Sequence, residues 1–161
     1  LHGRGWVELL RRASLNLKDK KMMSNEEIAQ KFAEQNCAQM ILARYAQHLG
    51  ANEAQLMKLG FGLLGGMQEG SVCGAYLAAV LVLGLAYGDD KEKYNANLAR
   101  FKEIYFKTQK SSICKEVLGH DLSKPDELEV IVQKGLFAKI CPCAISDSMR
   151  ALDQILEFKE N

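Results

Sequence analysis

FGLLGGMQEGSVCGAYLAAVLVLGLAYG, residues 61–88, is the stretch that decides the fold. Its first half is rich in glycine, which tolerates positive φ and close backbone approach, so it predicts a turn-rich loop. Its second half, residues 75–87, is almost continuously apolar and rich in alanine, which favours a buried helix over a strand. This run is shorter than the roughly 20 residues that cross a bilayer, so we expect no membrane insertion. The most buried positions should be Ala78, Ala79, Val82 and Leu83.

Cys73 stands where the glycine-rich loop meets this helix. The first turn of a helix has free backbone N–H groups and the positive end of the helix dipole, and both favour an anion. We therefore predict that this position lowers the pKa of the Cys73 thiol. Glycines on both sides, Gly70 and Gly74, should let backbone amides approach the sulfur.

The sequence on both sides of this stretch has the caps and apolar spacing of further helices. Ser24 and Glu27 form the S-x-x-E pattern of a capping box, and Asn36 and Asn52 predict two more helix starts. Downstream starts are predicted at Asp89 or Asp90, at Ser111-Ser112 and near Asp126.

The last helix should open at Cys141-Pro142, because proline is favoured at the first helical position. Hardly any segment of the chain alternates with the two-residue period of a strand. We therefore expect an all-α fold, a single-domain bundle of about six helices. Residues 1–23 should be an N-terminal extension that includes sequence upstream of a natural start at Met22 or Met23. A helical domain should cover residues 24–161.

Composition narrows the classes of function. The chain has 161 residues, of which 48% are hydrophobic and 25% charged, as in one ordinary globular domain. The formal net charge of +1 does not provide the excess of positive charge that is typical of nucleic-acid-binding domains. We find no pattern of a signal peptide, and five widely spaced cysteines do not suggest a disulfide framework. These features predict a cytoplasmic protein.

Four of the five cysteines stand at predicted helix starts. They are Cys37, Cys73, Cys114 and Cys141. Such positions favour the thiolate, which is the form that reacts, forms disulfides or binds metal. We therefore expect the four sulfurs to lie around one common site. The alternative is that they are scattered core thiols, since cysteine packs as a small apolar residue.

Cys143 lies two residues after Cys141 and on a different face of the predicted helix. Only one of these two should therefore join the site, and the expected helix start favours Cys141. The chain has no C-x-x-C pair, and Cys141-Pro142-Cys143 is its closest pair of cysteines. Spacing alone thus gives weak support for a metal site.

Several segments together match a known pattern. They are Asn36-Cys37-Ala38-Gln39, then Gly60-Phe61-Gly62 with Gly65-Gly66-Met67, then Cys73-Gly74-Ala75, Cys114 and the Cys141/Cys143 helix. In this order they resemble the redox-active proteins named for their C–GCAxxG–C–C pattern, over roughly residues 24–157. Two positions depart from the pattern, because Ala78 and Glu34 stand where glycine is expected.

The resemblance implies an all-helical domain with four characteristic cysteines and a redox role. The matching positions are Cys37, Cys73, Cys114 and one of Cys141 and Cys143. The family is related to the C-terminal part of split-Soret cytochromes, where an iron–sulfur centre accompanies haem. This chain has no C-x-x-C-H motif, so we expect no covalent haem.

We therefore expect a small electron-transfer protein whose clustered thiolates hold an iron–sulfur cluster or another thiolate-bound metal. Its redox partner would be a second protein that the sequence does not identify. A metal-free thiol–disulfide protein is the first alternative, and a structural helical module that binds a partner is the second. The high apolar fraction of these short helices also predicts a homodimer.

Overall fold

The computed structural model describes residues 21–158, which contain eight α-helices. The helices are α1 (Asn25–Lys31), α2 (Cys37–Ala46), α3 (Glu53–Phe61), α4 (Gly74–Tyr87), α5 (Lys91–Tyr105), α6 (Cys114–Leu118), α7 (Pro125–Lys134) and α8 (Leu136–Ile155). The β pairing in this range is a single antiparallel bridge between Val72 and Ile113. The prediction of an all-α, single-domain fold is confirmed. Residues 1–20 of the predicted N-terminal extension lie outside the described residues, whereas Met22 and Met23 pack against the core.

Side chains cap four of the helices at residues that the sequence predicted. The helix expected to begin at Ser111-Ser112 begins instead at Cys114, and neither it nor α7 has a side-chain cap. The Ser24 hydroxyl accepts from the Glu27 N–H at 3.2 Å, and the Glu27 carboxylate accepts from the Ser24 N–H at 2.7 Å. The side-chain oxygens of Asn36, Asn52 and Asp90 each accept from the backbone N–H three residues later. These caps satisfy N–H groups that have no partner within the helix, which explains why the starts could be predicted locally.

The last helix does not open at Cys141-Pro142, so that prediction was wrong. It begins at Leu136, directly after Gly135, whose φ of +62° ends α7. Pro142 lies inside α8, where it has no N–H to donate to the carbonyl of Ala138. Such an interior proline costs about 3 kcal/mol. The burial of the apolar stripe of this 20-residue helix offsets that cost.

Helix α4 is central to the bundle and packs against α2, α5 and α8. The four positions predicted to be its most buried, Ala78, Ala79, Val82 and Leu83, are each fully buried. They belong to a main core that also contains the apolar residues of α2, all of whose residues are buried, and the apolar stripe of α8. A smaller core around α6 and α7 contains Cys114, Leu118, Leu122 and Ile131.

None of the helices found between residues 21 and 158 combines the length and the apolar character needed to cross a membrane.

Candidate cysteine site

Cys37 is placed by a buried pair of polar side chains at the start of α2. The Asn36 and Gln39 side chains accept from each other's backbone N–H groups at 2.9 and 3.0 Å. The side-chain amide groups of the pair reach α3, where Asn36 donates to the Gly60 carbonyl at 3.1 Å and Gln39 donates to the Met57 carbonyl at 2.9 Å. The pair therefore caps α2 and holds it against α3, which fixes the position of Cys37.

Gly60 is required where these two helices meet. A Cβ at this position would lie 3.0 Å from Leu42 Cδ1 and 3.1 Å from Gln39 Cγ. Glycine therefore lets α3 approach α2 closely enough for the two amide side chains to reach its carbonyl groups.

The antiparallel bridge between Val72 and Ile113 fixes Cys73 and Cys114, which directly follow its two residues. The Cys73 N–H donates to the Ser112 carbonyl at 2.7 Å, and the Cys114 N–H donates to the Ser71 carbonyl at 2.6 Å. Cys73 is thereby fixed as the N-cap of α4 and Cys114 as the first residue of α6. The sequence analysis missed this pairing. Its signal is the twice-repeated pattern of serine, a β-branched residue and cysteine at residues 71–73 and 112–114.

The chain reaches the bridge through a left-handed turn. Gly65, Gly66, Met67 and Gln68 all have φ between +59° and +61°. A Cβ on Gly66 would lie 2.6 Å from the Ser71 nitrogen, so glycine is needed for space as well as for conformation. At Met67 and Gln68 the left-handed conformation costs roughly 1–2 kcal/mol per residue.

The two glycines nearest Cys73 make different contacts. A Cβ on Gly74 would lie 2.6 Å from the Cys37 sulfur, so this glycine makes room for Cys37 against α4. Gly70 has a φ of +65°, and a Cβ there would lie 3.2 Å from the Cβ of Lys115. Gly70 therefore lies against α6, whereas Gly74 touches the sulfur of a different helix.

Four of the cysteines line one cavity at the junction of the two cores. They are Cys37, Cys73, Cys114 and Cys141. The first three are 8%, 6% and 6% exposed, and Cys141 is partly buried. The cavity has a volume of about 20 Å³, which is room for about one water molecule. The other lining side chains are apolar and include Phe32, Leu64 and Phe137.

Cys143 does not join this group. Its side chain is exposed, and its sulfur accepts a long hydrogen bond of 3.6 Å from the Asn25 amide at the start of α1. Two residues along an α-helix correspond to a rotation of about 200°, so Cys141 and Cys143 face opposite sides of α8. Cys141 reaches the cavity because of its register in α8 and not because it begins a helix.

Burial keeps these thiols protonated. It raises the pKa of Cys37 to about 12, and the nearby Cys73 and Cys114 sulfurs add to this effect. Burial likewise raises the pKa of Cys114 to about 12. At Cys73, burial raises the pKa more than the N–H groups of Tyr76 and Ala75 lower it. The prediction that the helix start lowers the pKa of Cys73 was therefore wrong, because removal from water outweighs the N–H groups.

The pKa of Cys141 is raised as well, first by burial and then by the Cys37, Cys73 and Cys114 sulfurs. The four thiols thus form one interacting group.

All five cysteines are free thiols. Among residues 21–158, no three His, Cys, Asp or Glu side chains stand in an arrangement that coordinates a metal ion directly. A set of four cysteine sulfurs is nevertheless the donor set of structural zinc and of iron–sulfur clusters.

A family model described as "Putative redox-active protein (C_GCAxxG_C_C)" matches residues 35–155. The chain belongs to this family. The matched range contains all five cysteines and the Asn36–Gln39 pair, so the C_GCAxxG_C_C match covers all four cysteines of the site described above. No curated protein and no solved structure gives a significant match to the chain.

Proposed function

We propose that this member of the C_GCAxxG_C_C family is a redox protein whose four clustered cysteines bind a soft metal. The metal would be a single ion or an iron–sulfur cluster, and the protein would pass electrons to a partner protein. The observation that carries the proposal is the cavity lined by Cys37, Cys73, Cys114 and Cys141, one cysteine from or beside each of four helices. At about 20 Å³ the cavity suits a single ion, and its walls would have to separate to admit a cluster.

The state of the thiols favours a metal over free-thiol chemistry. Reactive cysteines have a lowered pKa and partial exposure, whereas Cys37, Cys73 and Cys114 are buried with a raised pKa. A bound metal would displace the thiol protons, because metal ligation requires the thiolate. The starts of α2 and α4 then help the chain to carry the negative charge of the ligands.

The fit to a metal rests on the donors and their surroundings. Four sulfurs without a carboxylate or imidazole among the lining residues select soft ions such as zinc or iron. When bound, iron would supply one-electron redox chemistry. The apolar walls formed by Phe32, Leu64 and Phe137 would keep water from the sulfurs, and low exposure is one of the factors that set a reduction potential.

Metal analysis of anaerobically purified full-length protein tests the proposal. We expect bound metal at close to one site per chain, together with visible absorbance if the metal is iron. Cys73→Ser should lose most of the metal, because Cys73 lines the cavity. Cys143→Ser is the matched control, since Cys143 is exposed outside the cavity, and it should keep the metal.

Protein that stays metal-free after anaerobic reconstitution, with zinc and separately with iron and sulfide, would contradict the proposal. Equal loss of metal in the Cys73→Ser and Cys143→Ser variants would contradict the assignment of the ligands. Both variants should first show the circular dichroism spectrum of the parent protein, so that loss of metal is not loss of fold.

One observation favours a second candidate, a metal-free thiol–disulfide protein. Cys73 and Cys114 each follow a residue of the backbone bridge, and both line the cavity. Oxidation of this pair would form one S–S bond. The two protons and two electrons released would reduce a disulfide of a partner protein to two thiols. A reducing compartment such as the cytoplasm would keep all five thiols free between such cycles. Counting free thiols before and after reductant, in metal-free protein, distinguishes this candidate.

A purely structural helical module is the remaining alternative. It predicts no bound metal, no change in thiol count and full function in the Cys→Ser variants. The same two measurements therefore separate all three functions.

A further inference from the structure

An open apolar groove lies between α3, α4 and the start of α5. It has a volume of about 560 Å³. Its lining residues are Leu42, Leu56, Leu59, Val80, Leu81, Gly84, Leu85, Gly88, Lys91 and Tyr94. None of them lines the cysteine cavity, so the groove is separate from the proposed metal site.

Exposed apolar side chains are concentrated around this groove. Of the eight large apolar side chains that are exposed among residues 21–158, three line this groove, namely Leu59, Leu81 and Leu85. Helix α4 has no charged residue and is apolar on all sides. A helix with this composition is normally covered by protein all round, whereas Leu81 and Leu85 on its groove side remain exposed within residues 21–158.

We infer that a second copy of this chain covers the groove. In this dimer the two α4 helices, one from each copy, would cross in antiparallel orientation at Gly84. In a two-fold symmetric dimer the same patch of each copy forms the interface. That patch must therefore contain both side chains that project and a space into which the partner's side chains fit. This patch has both. Leu81 and Leu85 project from α4, and a Cβ on Gly84 between them would meet nothing within 4 Å from the rest of residues 21–158 outside its own helix.

The distribution of charge also favours a second copy. Lys91 is the one charged residue among those that line the groove within residues 21–158. Lys91 begins α5, after α4 has ended at Tyr87. In an antiparallel crossing over Gly84 the two lysines would lie on opposite sides of the crossing point, and salt screens the repulsion between separated exposed charges. The rest of the lining is apolar, as in the cores of homodimer interfaces.

Analytical ultracentrifugation of the full chain tests the inference. At about 50 µM the protein should sediment as a dimer, and dilution should dissociate it by mass action. Leu85→Glu should weaken dimerisation by at least about 100-fold, because it places two carboxylates in a desolvated interface. Val132→Glu is the matched control. Val132 is 65% exposed on α7, away from the groove, so this variant should remain a dimer.

Cysteine cross-linking gives an independent measurement if Leu85→Glu fails to fold. In a Cys143→Ser background, which removes the exposed thiol, Leu85→Cys replaces a projecting side chain beside Gly84 by a smaller one and should form an interchain disulfide under mild oxidation. Val132→Cys should not form one. A full chain that is monomeric at about 50 µM would overturn the inference, and this is also the result expected if residues 1–20 or a small apolar ligand fills the groove. A dimer that tolerates Leu85→Glu and does not cross-link through Leu85→Cys would overturn it as well.

Discussion

Helix α4 is apolar all round, but the rest of the chain covers only part of it. Ala78, Ala79 and Leu83 are fully buried in the main core and form its covered side. Leu81 and Leu85 are 42% and 48% exposed beside an open groove and form its groove side. Both sides contain leucine, so residue size does not distinguish them. They differ in whether the described residues pack over them or leave them for another surface.

The strongest test of this comparison is to place the same charge on each side. Ala79→Glu should unfold or aggregate the protein, because an unpaired carboxylate in a core costs several kcal/mol or forces its own protonation. Leu85→Glu should fold, with a free energy of unfolding of the monomer within roughly 1 kcal/mol of the parent. Thermal melts followed by circular dichroism measure both. An unchanged melting temperature for Ala79→Glu would show that the covered side of α4 is not core.

The local part of this arrangement could be predicted from the sequence, because its causes lie within a few residues. Ser24, Asn36 and Asn52 cap the helix that follows each of them, and the length and apolar composition of residues 75–87 indicate a buried helix. Each of these features depends on one hydrogen bond or one helical period, so no knowledge of the remaining chain was needed.

The predictions that were wrong concern features that depend on residues far apart in the chain. Pro142 indicated a helix start, but the packing of α8 against the bundle outweighs that local preference. The helix start at Cys73 indicated a lowered pKa, but burial by other helices raises it. The bridge between Val72 and Ile113 joins segments that are distant in the chain, and the serine, β-branched residue and cysteine pattern that they share does not by itself show that they pair.

A second test compares two asparagine caps that differ in burial. Asn36→Ala removes the cap of α2 and leaves the Gly60 carbonyl without its amide donor in a buried position, which should cost about 2–3 kcal/mol. Asn52→Ala removes an exposed cap of α3 and should cost about 1 kcal/mol. Urea unfolding of the two variants measures the difference. Equal losses would mean that the contact from Asn36 to α3 adds nothing to the cap.

The smallest expected effects come from the two glycines of α4, and they should have opposite signs. Gly74→Ala places a methyl group 2.6 Å from the Cys37 sulfur and 3.0 Å from the Leu63 carbonyl oxygen, so one of these must move. We expect a loss of about 1–2 kcal/mol, as for other overpacked sites. Gly84→Ala meets open space, and the better helix propensity of alanine should stabilise the monomer by roughly 0.5–1 kcal/mol.

Both glycine variants should be measured in the Leu85→Glu background, because a dimer would bury Gly84 and reverse the sign of its effect. Without that substitution, Gly84→Ala should instead weaken the dimer by separating the two crossing helices. Gly74→Ala should lower the free energy of unfolding equally in both backgrounds, since Gly74 lies at the cysteine end of α4. A Gly84→Ala effect that is the same in both backgrounds would show that nothing crosses α4 at this position. The difference between the two sides would then be one of exposure alone.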